Sequence, residues 1–149
     1  REECDEFGFN SRMDELQAKI LIEKLKEIKK KIKLRNLNAK IYNKYLDKKY
    51  FYLDAKKKNL LNSYQFFLVL CEKRDELFRY LNDKGVMVTK YFHIPIYKQK
   101  AYKKIFPKVI KLKNADYLEK KSLNLPIREN LKKSEIIHIC KLMNKFYNQ

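Results

Sequence analysis

The chain has 149 residues, 45% of them hydrophobic and 13% aromatic, which predicts one modest folded domain and excludes a disordered chain. Its formal net charge is +18, but only six of its 36 basic residues are arginines, so the charge indicates a lysine-rich composition more than a surface that recognises nucleic acid. No apolar run approaches the roughly 18 residues that cross a membrane, and three widely spaced cysteines (Cys4, Cys71 and Cys140) predict a reducing, cytoplasmic setting without disulfides.

The first predicted element is a long amphipathic helix that begins near Met13. Ser11 and Asp14 have the spacing of a capping box, which places Asn10 on the loop ahead of the helix and Arg12 one step inside it. A free helix N-terminus attracts anions, and an amide and a guanidinium beside it would suit a phosphate. An ordinary capped surface helix is the alternative interpretation.

Apolar residues repeat at steps of three and four along this helix, which is expected to reach about Lys48. The members of the stripe are Leu16, Ile20, Leu21, Leu25, Ile28, Ile32, Leu37, Ile41, Tyr45 and Leu46. We expect a bend or break near residues 36–38. A helix of this length is typical of a connector between two domains. A coiled coil is the alternative, but the stripe is too short for several sustained heptads.

A compact α+β unit is predicted to follow. Residues 50–53 form a weak strand candidate, whereas the nearly continuous apolar run 63–70 predicts a central strand buried on both faces. Residues 74–83 are predicted to be a helix that ends at Gly85, and residues 86–92 a second strand. Together these segments predict a strand–helix–strand unit.

Three more helices are predicted in the last third of the chain, at residues 97–105, at 115–121 and after Ser134, which is expected to cap the last one. The apolar face of that last helix is predicted to hold Ile136, Ile137, Cys140, Leu142, Met143 and Phe146.

Several kinds of site are excluded by residue spacing. The chain has two glycines, Gly8 and Gly85, and neither belongs to a glycine-rich phosphate loop, which excludes a Rossmann or P-loop nucleotide site. The histidines and cysteines show none of the spacings of a zinc site. His138 and Cys140 lie two residues apart in a predicted helix, so they point to different faces and make a poor metal site. A nucleophilic Cys–His pair is equally unsupported, because nothing orients either histidine and no third partner is evident. No metal is expected.

Five short motifs stand along the chain. They are G-F-N-S-R-M-D-E-L-Q-A from Gly8, N-S-Y-Q-F-F-L-V-L from Asn62, R-D-E-L from Arg74 with Leu81, Lys84 and Gly85 after it, I-P-I-Y-K-Q from Ile94 with Ala101 and Tyr102, and L-N-L-P-I from Leu123. In content and order they resemble the motifs of the DegT/DnrJ/EryC1/StrS family of pyridoxal-phosphate-dependent sugar aminotransferases. The first motif carries the family signature G-x-N-x-R-M-D-x-L-Q-A.

The resemblance implies an α/β fold with a small α+β domain, as in the aspartate-aminotransferase-like transferases of fold type I. Residues 1–48 would be the interdomain loop and long helix at the end of the large-domain region, and residues 49–149 the C-terminal small domain. The family's N-terminal domain holds the Schiff-base lysine and the other residues around the cofactor ring. These would lie upstream of Arg1, and a start at Arg fits a C-terminal portion. Alone, that portion is expected to be inactive.

The resemblance also implies roles for particular residues. Asn10 would reach the cofactor phosphate bound in the neighbouring subunit, because family dimers build each active site from both chains. Arg12 would support that loop, by ion pairing or by direct phosphate contact. A further segment would lie at the mouth of the site and contact the sugar nucleotide; it consists of Phe92, His93, Ile94, Pro95, Ile96 and Tyr97. Many relatives carry His-Tyr ahead of Ile-Pro, so the displaced histidine leaves a purely structural role for His93 equally open.

The implied reaction moves an amino group from an amino acid, expected to be glutamate, through pyridoxal phosphate to a nucleotide-linked keto-sugar. The product would serve polysaccharide, lipopolysaccharide or glycan synthesis, and the enzyme would be a cytoplasmic homodimer without a membrane or nucleic-acid partner.

Two alternatives stay open. One is a family member without the lysine that serves as a sugar-nucleotide-binding regulatory module. The other is a lysine-rich nucleic-acid-binding module, whose affinity for random-sequence DNA would fall steeply with salt.

Overall fold

The computed structural model of the chain describes residues 3–53, 61–90, 94–108 and 111–148. Its elements in chain order are α1 (Glu15–Leu25), α2 (Ile28–Tyr45), β1 (Phe51–Leu53), β2 (Phe67–Cys71), α3 (Arg74–Asp83), a 3₁₀ helix (Ile96–Lys98), α4 (Lys100–Ile105), α5 (Lys113–Lys121), β3 (Ser122–Leu125) and α6 (Lys133–Tyr147). None of the described helices combines the length and the apolar character needed to cross a bilayer.

The start of the first helix differs from the prediction. Asp14 is the N-cap, with extended backbone angles, and its carboxylate accepts a hydrogen bond from the Leu16 N–H at 2.8 Å. Ser11 therefore does not cap the helix, and Arg12 lies outside it. The physical reason is that a carboxylate directly ahead of the first turn accepts one of its free N–H groups, here that of Leu16, which favours a helix start at this residue.

The long helix is interrupted, but not where it was expected. The break lies at Lys26 and Glu27, whose N–H groups bond only three residues back, at 3.3 Å each. Residues 36–38 stay helical. The Asn36 amide donates to the Ile32 carbonyl of the same helix and to the Asn62 carbonyl, each at 2.8 Å. The Asn38 amide donates to the Arg128 carbonyl at 2.8 Å, so both asparagines join this part of α2 to other segments.

The three strands form one antiparallel sheet in the order β1-β2-β3. The predicted central strand is confirmed as β2, but it begins at Phe67, and only one of its faces is buried. Phe67, Val69 and Cys71 are buried, whereas Leu68 is 37% exposed. β2 is thus covered by helices on one side, as is common for antiparallel sheets.

The second predicted strand, at residues 86–92, is not a strand in its described part. Val86 and Val88 are buried, and only Thr89 forms a bridge, to Asn124; residues 91–93 lie outside the described part of the chain. The place beside β2 is taken by β3, which was not predicted. In β3, Leu123 pairs with Val69 of β2. β3 therefore occupies the edge of β2 that the predicted strand at residues 86–92 was expected to take.

The remaining helices agree with the predictions in position. α3 ends ahead of Gly85, which has a φ of +77°, a backbone conformation that glycine adopts without strain. α6 begins at Lys133, so Ser134 lies inside it, and the Glu135 carboxylate accepts the Lys132 N–H at 2.6 Å instead. The buried face of α6 includes Ile139, which replaces the predicted Ile137.

The core lies between the inner face of the sheet and helices α2, α3 and α6. Its largest fully buried side chains are Tyr42, Phe51, Leu77, Leu81, Leu123, Leu125, Ile136 and Met143. Burial of one such side chain stabilises the fold by roughly 1.5–3 kcal/mol. Of the two N-terminal helices, α1 buries none of its residues, and α2 contributes to the core only through its second half. The division of the chain into residues 1–48 and 49–149 stays a prediction.

Candidate functional site

The arm, defined here as residues 7–13, carries Asn10 and Arg12 ahead of α1. Both side chains are exposed, and among the described residues neither has a hydrogen bond or an ion pair. Asp14 places its own carboxylate at the helix N-terminus, where it accepts the Leu16 N–H, and the anion site expected at the free N–H groups stays a prediction. The amide and the guanidinium lie ahead of α1, in a segment that is neither helix nor strand, and both are accessible.

Residues 3–5 fix the start of the arm against the beginning of α4. The Cys4 N–H donates to Oε1 of Gln99 at 2.8 Å, and the Ala101 N–H donates to the Cys4 carbonyl at 2.8 Å. Lys100 adds ion pairs to Glu3 and Asp5 at 3.4 and 3.2 Å. The bond between Cys4 and Gln99 joins residues that are 95 positions apart in the chain.

The rim, defined here as residues 94–97, is the described part of the segment predicted to contact substrate; Phe92 and His93 lie outside the described residues. Pro95 leads into the 3₁₀ turn, in which the Lys98 N–H bonds to the Pro95 carbonyl at 2.8 Å. Proline suits this position because its fixed φ prepares the turn and its own N–H is not needed there. Ile96 is 76% exposed at the surface.

Two carboxylates of α5 hold the rim. The Tyr97 hydroxyl donates to Asp116, and the Lys98 ammonium contacts both Asp116, at 2.7 Å, and Glu119. Hydrogen bonds from Lys98 and then Tyr97 lower the pKa of Asp116, and the same contacts raise the pKa values of Lys98 and Tyr97. Since Asp116 and Glu119 lie three residues apart, they share one face of α5 and close on the lysine together.

A cleft of about 620 Å³ lies between the rim, α5 and the outer face of the sheet. Its walls are mostly apolar, and they include Leu68, Leu70, Pro95, Ile96, Leu112 and Leu118. The exposed face of β2 is thus one wall of this cleft. A cleft with such walls suits an apolar group beside the rim and offers little to a phosphate.

The cysteines and histidines form no second site in the described ranges. Burial raises the pKa of Cys71 to about 11 and that of Cys140 to about 12, so both thiols stay protonated and unreactive at neutral pH. His138 is exposed whereas Cys140 is buried, so the two point to different faces, as their spacing predicts. No group of three potential metal ligands occurs among the described residues.

Sequence reasoning missed three residues that organise this region: Lys98, Gln99 and Asp116. Gln99 was part of a quoted motif without a role. The i, i+3 spacing of Asp116 and Glu119 on a predicted helix was a usable signal for a shared cation. Nothing in the sequence indicated that this cation would be Lys98, because the pair is formed between separate elements.

Comparison with known proteins identifies what the chain resembles. A sequence model of the "DegT/DnrJ/EryC1/StrS aminotransferase family" matches residues 1–144. A "Pleiotropic regulatory protein" of Geobacillus stearothermophilus is 28% identical over 94% of this chain and 38% of its own length. The "UDP-4-amino-4,6-dideoxy-N-acetyl-beta-L-altrosamine transaminase" of Campylobacter jejuni is 30% identical over 89% of this chain and 37% of its own length. The chain therefore spans well under half of either relative.

Two solved structures have the same fold. A DegT DnrJ EryC1 StrS aminotransferase from Brucella abortus superposes with a TM-score of 0.83 at 25% identity, over 95% of this chain and 38% of that one. The GDP-4-keto-6-deoxy-D-mannose-3-dehydratase of E. coli, solved with bound hydrated pyridoxal phosphate, gives a TM-score of 0.76 at 24% identity. The match to that dehydratase covers 91% of this chain and 36% of that one.

Proposed function

The chain belongs to the DegT/DnrJ/EryC1/StrS aminotransferase family, and on that premise we propose that it is the C-terminal part of an enzyme that aminates a nucleotide-linked keto-sugar. The observation that carries the proposal is the family match over residues 1–144. The transaminase activity in the name of the Campylobacter jejuni relative supports the same class of reaction. We further propose glutamate as the amino donor and polysaccharide, lipopolysaccharide or glycan synthesis as the destination of the product.

Pyridoxal phosphate is the cofactor that we propose, and the residues of the arm fit its phosphate. Asn10 offers amide N–H donors for phosphate oxygens, and Arg12 offers a guanidinium, which binds phosphate through charge-assisted hydrogen bonds. Both are exposed and have no partner in the described part of the chain, so they are free to bind a group outside it. Bound there, the cofactor would supply the amino-group carrier chemistry of a transamination between the donor and the sugar.

The residues of this chain would bind and orient the cofactor and the sugar nucleotide. We propose that Asn10 and Arg12 hold the cofactor phosphate of the neighbouring subunit. The rim, with Phe92 and His93 ahead of it, would contact the sugar nucleotide, and the carboxylates of α5 would keep Tyr97 in place. The apolar cleft behind the rim would exclude water from that side of the substrate.

A homodimer is part of the proposal. α1 buries none of its residues within this chain and leaves Leu16, Ile20 and Leu25 exposed by 67%, 49% and 62%. An apolar helix face of this kind is normally covered, and the arm directly ahead of it would then reach the partner's site. Cys4, Cys71 and Cys140 are free thiols, in keeping with the reducing cytoplasm that we propose as the compartment.

The test is an absorbance spectrum of the full-length gene product purified with pyridoxal phosphate. We expect an absorbance band near the visible edge that shifts when glutamate is added, and restoration of the band by a nucleotide-linked keto-sugar. The protein without added cofactor is the control. A full-length protein that shows no such band would contradict the enzyme proposal and would favour a sugar-nucleotide-binding regulatory module of the same fold.

A further inference from the structure

One side-chain amide lies between the two segments of the candidate site. Gln99 is half-buried; its Oε1 accepts the Cys4 N–H at 2.8 Å, and its Nε2 donates to the Ile94 carbonyl at 3.3 Å. Cys4 stands ahead of the arm, and Ile94 is the first residue of the rim. A primary amide has an acceptor and two donors in one plane, so it can bond both segments at once.

The contact with Gln99 is part of a small clamp on residues 3–5. The Ala101 N–H bonds to the Cys4 carbonyl at 2.8 Å, so Cys4 is held through both its backbone groups. The ion pairs of Lys100 with Glu3 and Asp5 are exposed, with side chains more than 60% accessible, and exposed pairs contribute little. The backbone hydrogen bonds of Cys4 are therefore the main restraint at this end of the arm.

Beyond the clamp the arm has almost no support of its own. Phe9 is 99% exposed, and a Cβ added at Gly8 would meet no atom within 4 Å. The direction in which the arm leaves the domain is therefore determined at Cys4 and at the start of α1. Because Gln99 holds Cys4 and Ile94 together, a displacement of one segment is transmitted to the other.

We propose that Gln99 is a positioning residue that fixes the cofactor-phosphate arm and the substrate rim relative to each other. The proposal rests on the proposed function, since it takes its two ends from the roles given there to Asn10 and to the rim. Gln99 touches neither ligand. It acts through Cys4 on one side and through Ile94 on the other.

The test compares three variants of the full-length protein: Gln99→Ala, Gln99→Glu and the control Asn82→Ala. Glutamate has the shape of glutamine and still accepts the Cys4 N–H, but it cannot donate to Ile94. Asn82 is an exposed amide that bonds only within α3, to the Phe78 carbonyl at 2.8 Å. For each variant we would measure the Kd of pyridoxal phosphate with apoenzyme, the KM of the sugar nucleotide, and amide hydrogen exchange in residues 3–12 and in α6.

In Gln99→Ala we expect both the Kd and the KM to rise about five-fold, the change that corresponds to one lost hydrogen bond. Exchange should become faster in residues 3–12 and stay unchanged in α6. In Gln99→Glu we expect the Kd to stay within about two-fold of wild type while the KM rises, because the acceptor for the Cys4 N–H is kept and the donor to the Ile94 carbonyl is lost. A merely structural role would change the two constants together in both Gln99 variants and would also speed exchange in α6.

Three results would overturn the proposal. Unchanged Kd and KM in Gln99→Ala, with normal wild-type binding, would contradict the positioning role alone. A Gln99→Glu variant that changes the Kd and the KM equally would contradict the proposal that Gln99 acts on the arm through Cys4 and on the rim through Ile94. A wild-type protein that does not bind pyridoxal phosphate would contradict the proposed function, and the positioning role with it.

Discussion

The hydroxyl of Tyr42 donates a hydrogen bond to the carbonyl of Pro126 across 2.8 Å, and the tyrosine is fully buried. Tyr42 lies in α2 and Pro126 directly follows β3, so this bond ties the long helix to the edge of the sheet. The ring stacks on Phe67 of β2 with 4.8 Å between centroids. Burial raises the pKa of Tyr42, so the hydroxyl remains a donor throughout the neutral range.

Replacing Tyr42 by phenylalanine should lower the free energy of unfolding by about 0.5–1.5 kcal/mol, because the half-buried Pro126 carbonyl loses its hydroxyl donor. The ring packing is retained, so the loss reports the hydrogen bond. Tyr50→Phe is the matched control: its hydroxyl bonds to Asn148 at 3.0 Å in an exposed position. Urea unfolding measures both. Equal losses of unfolding free energy in the two variants would show that the Tyr42 hydroxyl stabilises the fold no more than the exposed Tyr50 hydroxyl does.

Truncation of the core should cost more. Leu81 is fully buried in α3, and Leu81→Ala should destabilise the fold by about 2–5 kcal/mol through lost contacts and the cavity left behind. Leu61, which is 80% exposed, provides the control, and Leu61→Ala should change stability by less than about 0.5 kcal/mol. The midpoint of urea unfolding distinguishes them. A similar small effect in both variants would contradict the assignment of the core.

Acid should weaken the contact between Arg35 and Glu129, whose charged atoms are 3.1 Å apart. The pKa of Glu129 is lowered from 4.5, first by a backbone hydrogen bond and then by Arg35. The folded state therefore binds the proton less readily than the unfolded chain. The stabilisation is complete above pH 4.5, and it is lost as the pH falls through the lower folded-state pKa.

Glu129→Gln should accordingly show a shallower loss of urea midpoint between neutral pH and pH values below that folded-state pKa than wild type does. The exposed Glu15, which has no ion pair in the described ranges, gives the control variant Glu15→Gln. Identical pH profiles for wild type and Glu129→Gln would mean that the Glu129 carboxylate does not contribute to acid sensitivity.

Removal of the Asn10 amide should weaken cofactor binding without unfolding the protein. A hydrogen bond to a charged phosphate corresponds to roughly a 10- to 100-fold change in Kd, and we expect Asn10→Ala to raise the Kd of pyridoxal phosphate within that range. Fluorescence titration of full-length apoenzyme provides the value, with Asn82→Ala as control. Wild-type affinity in Asn10→Ala would remove Asn10 from the site.

Mixed dimers should reveal which subunit Asn10 serves. If it acts on the partner's cofactor, a heterodimer of an Asn10→Ala subunit with a subunit that lacks the upstream cofactor lysine contains one intact site. We expect such a mixture to bind pyridoxal phosphate more tightly than the Asn10→Ala homodimer. If Asn10 serves its own subunit, every site that keeps the lysine lacks the amide, and mixing gives no gain.

Loss of the contact between α5 and the rim should affect the KM of the sugar nucleotide more than the half-reaction with the amino donor. Asp116→Asn keeps an acceptor for the Tyr97 hydroxyl but removes the charge that holds Lys98, so we expect the KM of the sugar nucleotide to rise about two- to ten-fold. The half-reaction with glutamate should stay near wild type. Asp83→Asn, at the exposed end of α3, is the control. Equal effects on both half-reactions would contradict a role at the rim.

Much of the architecture follows from local pattern. The positions of α3, α5 and α6 agree with the predictions because their apolar periodicity and their end signals lie within each segment. The extent and burial of β2 were overestimated, since an apolar run does not show which of its faces the rest of the chain covers. The break at Lys26 also escaped prediction, because neither proline nor glycine marks it.

The sequence by itself determined the family, the helices of the core and the candidate residues Asn10, Arg12 and 92–97, since these rest on short-range order along the chain. Only the tertiary structure decided that β3 lies beside β2, that Asp116 holds Lys98 and that Gln99 joins Cys4 to Ile94. The physical reason is that strand pairing and side-chain hydrogen bonds depend on which distant segments meet. Local propensity and periodicity carry no information about that meeting.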